Sequence, residues 1–167
     1  MPFGAYFRFL ISDFRFVMMN LKRLKSQIVS LKSKIFGGMT LFSKIIAREI
    51  PSYRIAENDK FFAFLDIAPL REGHVLVIPK IEIDNLFDLP ADYLGEILEF
   101  ARPIAKAIEK SFPCNRCGIT VIGLEVPHAH IHLIPINSSN DLNFTQLKDR
   151  ASDDVLKRVQ QKIISNL

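Results

Sequence analysis

An antiparallel α+β domain is the fold class this sequence predicts, and three observations carry the expectation. Five short runs of β-branched and aromatic residues are bounded by turn-forming residues. Two long stretches repeat apolar residues at helical spacing. Most of the short runs lie close enough in sequence for hairpins to join them, so the expected architecture is a five-stranded antiparallel sheet with helices packed on one face.

The first 38 of the 167 residues stand apart from this pattern. They carry Arg8, Arg15, Lys22, Arg23, Lys25, Lys32 and Lys34 against Asp13 alone, a net +6. The whole chain is only +4, so the remainder is −2 and offers no electrostatic reason to expect DNA or RNA as a partner. Val17, Leu21, Leu24, Ile28, Leu31 and Ile35 form the seam of an amphipathic helix that Gly37-Gly38 would end. Three readings stand for this Phe-rich, basic extension. It is a helix on an anionic membrane surface, a short coiled-coil arm, or sequence upstream of a true start at Met39. Membrane contact is expected only if the extension is real. Residues 1–38 and 39–167 are thus expected as extension and folded domain. No apolar run reaches the ~18 residues of a membrane-spanning helix. Two cysteines cannot staple a secreted scaffold, so a reduced, cytoplasmic setting is expected.

From Met39 the elements follow in order. Leu41, Phe42, Ile45 and Ile46 give a short helix that stops before Pro51. Tyr53 to Glu57 and Phe61 to Leu65 read as strands joined at Asn58-Asp59, a hairpin by its turn chemistry. A loop from Asp66 to Gly73 precedes a strand from His74 to Ile78. Pro90 then sits where a first helical turn tolerates it, ahead of a long amphipathic helix to about Ser111 that Pro103 should bend. Gly118 to Ile122 and His128 to Ile134 are two more strands, and Asp153 to Leu167 is a closing helix.

All four histidines fall on two of these strands. His74 opens one, and His128, His130 and His132 alternate along the other. Alternate strand residues share a face, so three imidazoles point one way while Ala129, Ile131 and Leu133 point the other. Three half-charged rings in a row are poor core material, which makes the row functional. Two chemistries use such a row. Metal binding is one, with His128 and His132 as zinc ligands. All three cannot serve one ion, because alternate residues are ~6.6 Å apart and tetrahedral zinc wants its nitrogens ~3.3 Å apart. Nucleophilic catalysis on an extended anionic group such as a phosphate chain is the other.

The stretch VPHAHIHLIP, Val126 to Pro135, resembles the signature of the histidine triad (HIT) family. TLFSKIIAREIP, ENDKFFAFLDIAP and GHVLVIPK are similar, in order and spacing, to the opening of its Hint-type members. The resemblance covers Met39 to Pro135 and implies a HIT-like fold, a two-fold dimer and action on nucleotides. It implies that His130 is the nucleophile that attacks the α-phosphorus of a phosphoramidate, dinucleoside polyphosphate or related nucleotide. By the same resemblance His132 contacts phosphate oxygens or the bridging atom, His128 orients its neighbours, and His74 backs the row. Asp66 matches a ribose-binding aspartate; its residue type also suits a loop cap. Leu41, Phe42, Ile45, Phe64 and Ile67 match base-pocket positions, and core packing would explain them equally well. Neither cofactor nor metal is expected.

Two departures matter. Thr40 and Ser43 stand where many members carry a zinc-binding Cys-x-x-Cys, while Cys114 and Cys117 lie elsewhere and read as ordinary thiols. The link before the triad is only Gly123 to Pro127, with Glu125 where Hint-type members have a phosphate-contacting Ser or Thr. A carboxylate beside a polyanion is repulsive, unless Glu125 orients a histidine or turns away. A nucleotide-binding interaction module with little turnover is therefore the alternative to an enzyme.

Overall fold

In the computed structural model, which describes residues 39–145 and 149–167, the first element is helix α1 (Leu41–Ile46). The expectations for residues 1–38 lie outside the described residues. Thr40 caps α1, its side chain accepting from Ser43 N–H at 3.1 Å. Strands β1 (Arg54–Glu57) and β2 (Phe61–Leu65) form the expected hairpin. Asn58 builds its turn, with Oδ1 accepting from the amides of Lys60 and Phe61 at 3.0 and 2.7 Å.

Strand β3 (Val75–Pro79) pairs antiparallel with β2. A 3₁₀ turn (Leu86–Asp88) leads to helix α2 (Ala91–Ser111), which runs through Pro103 without interruption. Strand β4 (Arg116–Thr120) and strand β5 (Ile131–Ile136) pair antiparallel, and helix α3 (Asp153–Ile164) closes the chain. The sheet order β1-β2-β3-β5-β4 is antiparallel throughout, as the sequence predicts. Among the described residues, no helix is long and apolar enough to cross a membrane.

Every residue of β2 and β3 is buried, so both sheet faces are covered. On one face Phe61, Ala63, Leu65, Val75, Val77, Ile131 and Leu133 pack with Ile97, Ile104 and Ile108 of α2 and Leu156, Val159 and Ile163 of α3. The expected one-sided packing holds for these two long helices. The other face has a smaller cluster, in which Phe42 and Ile45 of α1 meet Phe62, Phe64, Leu76 and Ile78. The histidines lie on this second, thinner side.

Four strands begin elsewhere than the sequence pattern suggests: β1 and β3 one residue later, at Arg54 and Val75, and the other two by more. The triad strand starts at Ile131 rather than His128, because β3 pairs with β5 only from Val77–Ile131 to Val75–Leu133. Upstream of Ile131 the chain has no ladder partner; Ala129 N–H donates instead to the Ile83 carbonyl at 2.6 Å. The fourth strand covers Arg116–Thr120, not Gly118–Ile122. Its register with β5 decides this, and the apolar Val121 and Ile122 are left exposed beyond its end.

Candidate active site

Strand pairing brings the histidines together. His74 shares a face with Leu76 and Ile78, and the Leu76–His132 cross-strand pair puts His132 on that same side. His130 and His128 continue the alternation, with ring centroids of His130 and His132 4.9 Å apart. The common orientation predicted for the row thus survives, although only His132 belongs to a hydrogen-bonded strand.

Burial is what makes such a row tolerable. His74, His128, His130 and His132 are 1, 0, 7 and 7% exposed. Desolvation pushes His74 down to about 3, with the neighbouring His130 adding to the effect. Desolvation and the adjacent His74 and His130 do the same to His132, also about 3. His128 is lowered too, chiefly by burial, against the opposing pull of the Pro79 carbonyl and the Glu82 carboxylate. These three rings are neutral at physiological pH, so the half-charged stack that the sequence alone suggests does not form.

Hydrogen-bond partners assign the tautomers. His130 Nδ1–H donates to the His128 carbonyl at 2.7 Å, which leaves the lone pair on Nε2. The Leu70 amide lies 3.3 Å from His74 Nδ1 and makes that nitrogen an acceptor. His74 Nε2–H therefore donates to His132 Nδ1 at 2.9 Å. His132 is left with its hydrogen on Nε2, an atom that is buried and without a partner among the described residues. A buried donor of this kind is costly unless a ligand completes it.

Asp66 adjoins this chain. One oxygen accepts from Ala68 N–H at 2.9 Å, the loop-capping role its residue type suggests, and the other lies 3.4 Å from His74 Nδ1. Donor atoms of Asp66, His74 and His132 lie within 4.8 Å of one another, a set that could hold a metal ion. The direct His74–His132 hydrogen bond already engages two of its members. The zinc reading with His128 and His132 fits less well: His128 uses Nε2–H on the Pro79 carbonyl at 2.8 Å and Nδ1 on Thr40 Oγ1 at 3.0 Å.

The remaining expected residues separate by exposure. Phe42, Ile45 and Phe64 are buried in the thinner cluster, and the Phe42 ring stands edge-on to His130 at 5.2 Å. Leu41 and Ile67 are 49 and 48% exposed. Glu125 is exposed, and no histidine bonds to it, so it neither orients the row nor sits within it. Sequence reasoning misses Phe144, whose ring stands edge-on to His132 at 5.0 Å and lies 6.3 Å from His74. It lies in a segment without periodicity, so no sequence signal marks it. Thr40 is missed as a partner of His128, although a Thr directly before an apolar helical run is a visible cap signal.

An antiparallel five-stranded α+β domain with a buried histidine row on its thinner face is the class of protein defined here. The chain belongs to the HIT family: the model described as "HIT domain" matches residues 47–139. It is 40% identical over 96 residues to adenosine 5'-monophosphoramidase HNT1 of Saccharomyces cerevisiae. That alignment spans 57% of this chain and 61% of the yeast protein, under two thirds of its length. Against the purine nucleoside phosphoramidase of Escherichia coli (strain K12) it is 38% identical over 105 residues, 57% of this chain and 85% of the relative. Among solved structures, a Hit-like protein involved in cell-cycle regulation from Bartonella henselae superimposes with a TM-score of 0.67 at 32% identity, covering 77% of this chain and 96% of the other.

Proposed function

We propose that the protein is a HIT-type nucleotide hydrolase or transferase. It cleaves a nucleoside 5′-phosphoramidate, a dinucleoside polyphosphate or a related nucleotide at the α-phosphorus, through a nucleotidyl intermediate on His130. One observation carries this reading. The 2.7 Å bond from His130 Nδ1–H to the His128 carbonyl holds the Nε2 lone pair free for attack. The yeast and Escherichia coli relatives, both named as phosphoramidases, support it, and the second favours a purine base.

In this scheme a bond forms from Nε2 to phosphorus as the bond to the leaving group breaks. Water then displaces Nε2 and releases the nucleoside monophosphate. His132 Nε2–H, partnerless among the described residues, donates to a phosphoryl oxygen or the bridging atom. His74 holds the His132 tautomer, and His128 holds the nucleophile through its carbonyl. Asp66 takes the ribose hydroxyls with the lone pairs that Ala68 leaves unused. The exposed Leu41 and Ile67 contact the base, while the buried Phe42, Ile45 and Phe64 form the floor beneath them. Exposed Glu125 turns its charge to solvent, which removes the repulsion that would favour a binding module with little turnover.

A two-fold dimer belongs to the same reading. Strand β4 is an edge of the sheet, and Ile119, Val121 and Ile122 are exposed along and beyond it. Cytoplasmic placement is also part of it and rests on two free thiols. The test is AMP release from adenosine 5′-phosphoramidate and from a dinucleoside polyphosphate. His130→Ala is expected to lower kcat on the order of 10³-fold or more. Activity that survives this substitution would overturn the assignment. Tight AMP binding without cleavage of either substrate would establish the binding module instead.

A further inference from the structure

Two nitrogens of His128 are pinned by residues far away in sequence. Pro79, 49 positions away, takes the Nε2 hydrogen at 2.8 Å, so Nδ1 must accept. Facing it at 3.0 Å is the hydroxyl of Thr40, 88 positions away and itself buried. Ser43 Oγ–H donates to the Glu82 carboxylate, so Ser43 Oγ, 2.9 Å from Thr40 Oγ1, is a second acceptor for the Thr40 hydroxyl hydrogen; the fully buried His128 Nδ1, which has no solvent to turn to, is the acceptor that needs it more. Thr40 N–H also reaches Glu82 Oε2 at 3.2 Å, and the carbonyl of the next residue, Ile83, holds Ala129 N–H. The start of α1, the segment after β3 and the segment carrying the nucleophile are thereby clasped together, and Thr40 bonds to the other two.

We propose that Thr40 is a positioning residue for the nucleophile: its hydroxyl fixes the His128 ring, and the His128 carbonyl in turn aims His130. The inference rests on the functional reading above, because it assigns Thr40 a part in the same reaction. The geometry leaves little slack. His128 is fully buried, its ring is held at both nitrogens, and its carbonyl makes the bond that orients His130. Losing one of the two ring anchors frees rotation about the side chain and relaxes the peptide that aims His130. Thr40 does not touch the reacting atoms in this scheme, so its loss falls on kcat and spares nucleotide affinity.

The experiment compares wild type with Thr40→Val and Thr40→Ser. It reads kcat and KM for adenosine 5′-phosphoramidate, AMP affinity by calorimetry, and the ¹⁵N resonances of the His128 ring. Thr40→Val is expected to lower kcat about 5–10-fold, in line with one buried hydrogen bond. KM and AMP affinity should stay within about twofold, and the Nδ1 signal should move toward that of an unbonded imidazole nitrogen. Thr40→Ser should restore both. A valine variant with native kcat, or with an unmoved Nδ1 signal, overturns the proposal, as does a serine variant that restores neither. Should the valine variant not fold, the wild-type ring signals decide: a hydrogen on Nδ1 rather than Nε2 overturns it. A wild type that cleaves no nucleotide overturns the functional reading, while the ring signals still test the Thr40 bond.

Discussion

Acidification should destabilise this protein through its buried histidines, beginning above the range where carboxylates titrate. The unfolded forms of His74 and His132 take up protons near their ordinary value of 6.5, whereas the folded forms wait until about 3. For a base lowered by folding, the unfolded chain binds more protons between those values, so stability falls as pH falls. It is fully present above about pH 6.5 and is lost progressively toward pH 3. At pH 5 the folded rings are almost wholly neutral and the unfolded ones almost wholly charged. Each then costs about 2 kcal/mol, or about 4 for the pair. His128, also lowered chiefly by burial, adds in the same direction. Against a typical domain stability of about 5–15 kcal/mol this is a large loss. Urea unfolding at pH 7.5 and 5.0 measures it, and a His74→Gln/His132→Gln variant should show a much smaller difference. Equal unfolding free energies at the two pH values in the wild type would refute the argument.

Two further outcomes follow from local geometry. Gly73 has φ +96°, and a Cβ there would lie 2.6 Å from the Phe112 ring, so Gly73→Ala should cost about 2–4 kcal/mol, read as a lowered Tm. Burial pushes the Cys117 thiol up to about 12, with Glu109 and Cys114 adding to the effect. Native Cys117 should therefore react with a thiol reagent at pH 7.5 far more slowly than in urea.

Much of this architecture is legible because local chemistry and tertiary structure agree. The Asn58 turn, the all-apolar β2, the Val-rich β3 and the helical stripe ending at Ser111 are visible in the residues and recur in space. The triad is visible for the same reason, since alternation survives even where the ladder stops. What is not legible depends on pairing between distant segments. Whether His128 belongs to a strand is decided by where β3 stops bonding to β5, not by His128 itself. Val121 and Ile122 look like strand residues, yet the register with β5 places Arg116 and Cys117 in β4 instead. The partners of the histidines are distant too: Pro79 and Leu70 offer backbone groups that no residue pattern announces, and the cap signal of Thr40 does not point to His128.

The unequal coverage of the two sheet faces has a consequence for how the molecule opens. The thicker face is sealed by helices of 21 and 12 residues, but the histidine face is sealed by α1, which has six. A helix of that length has no independent stability; its capping hydrogen bonds and the burial of Phe42 and Ile45 hold it in place. Detaching it therefore requires less free energy than unfolding the whole sheet, so the α1 amides are expected to exchange ahead of those of β3 and α2. Such partial opening exposes Phe42 and loosens the grip on His128 without dissolving the main core. The proposed chemistry and the larger core thus sit on opposite sides of one sheet, and the histidine side is the one held by the shorter helix.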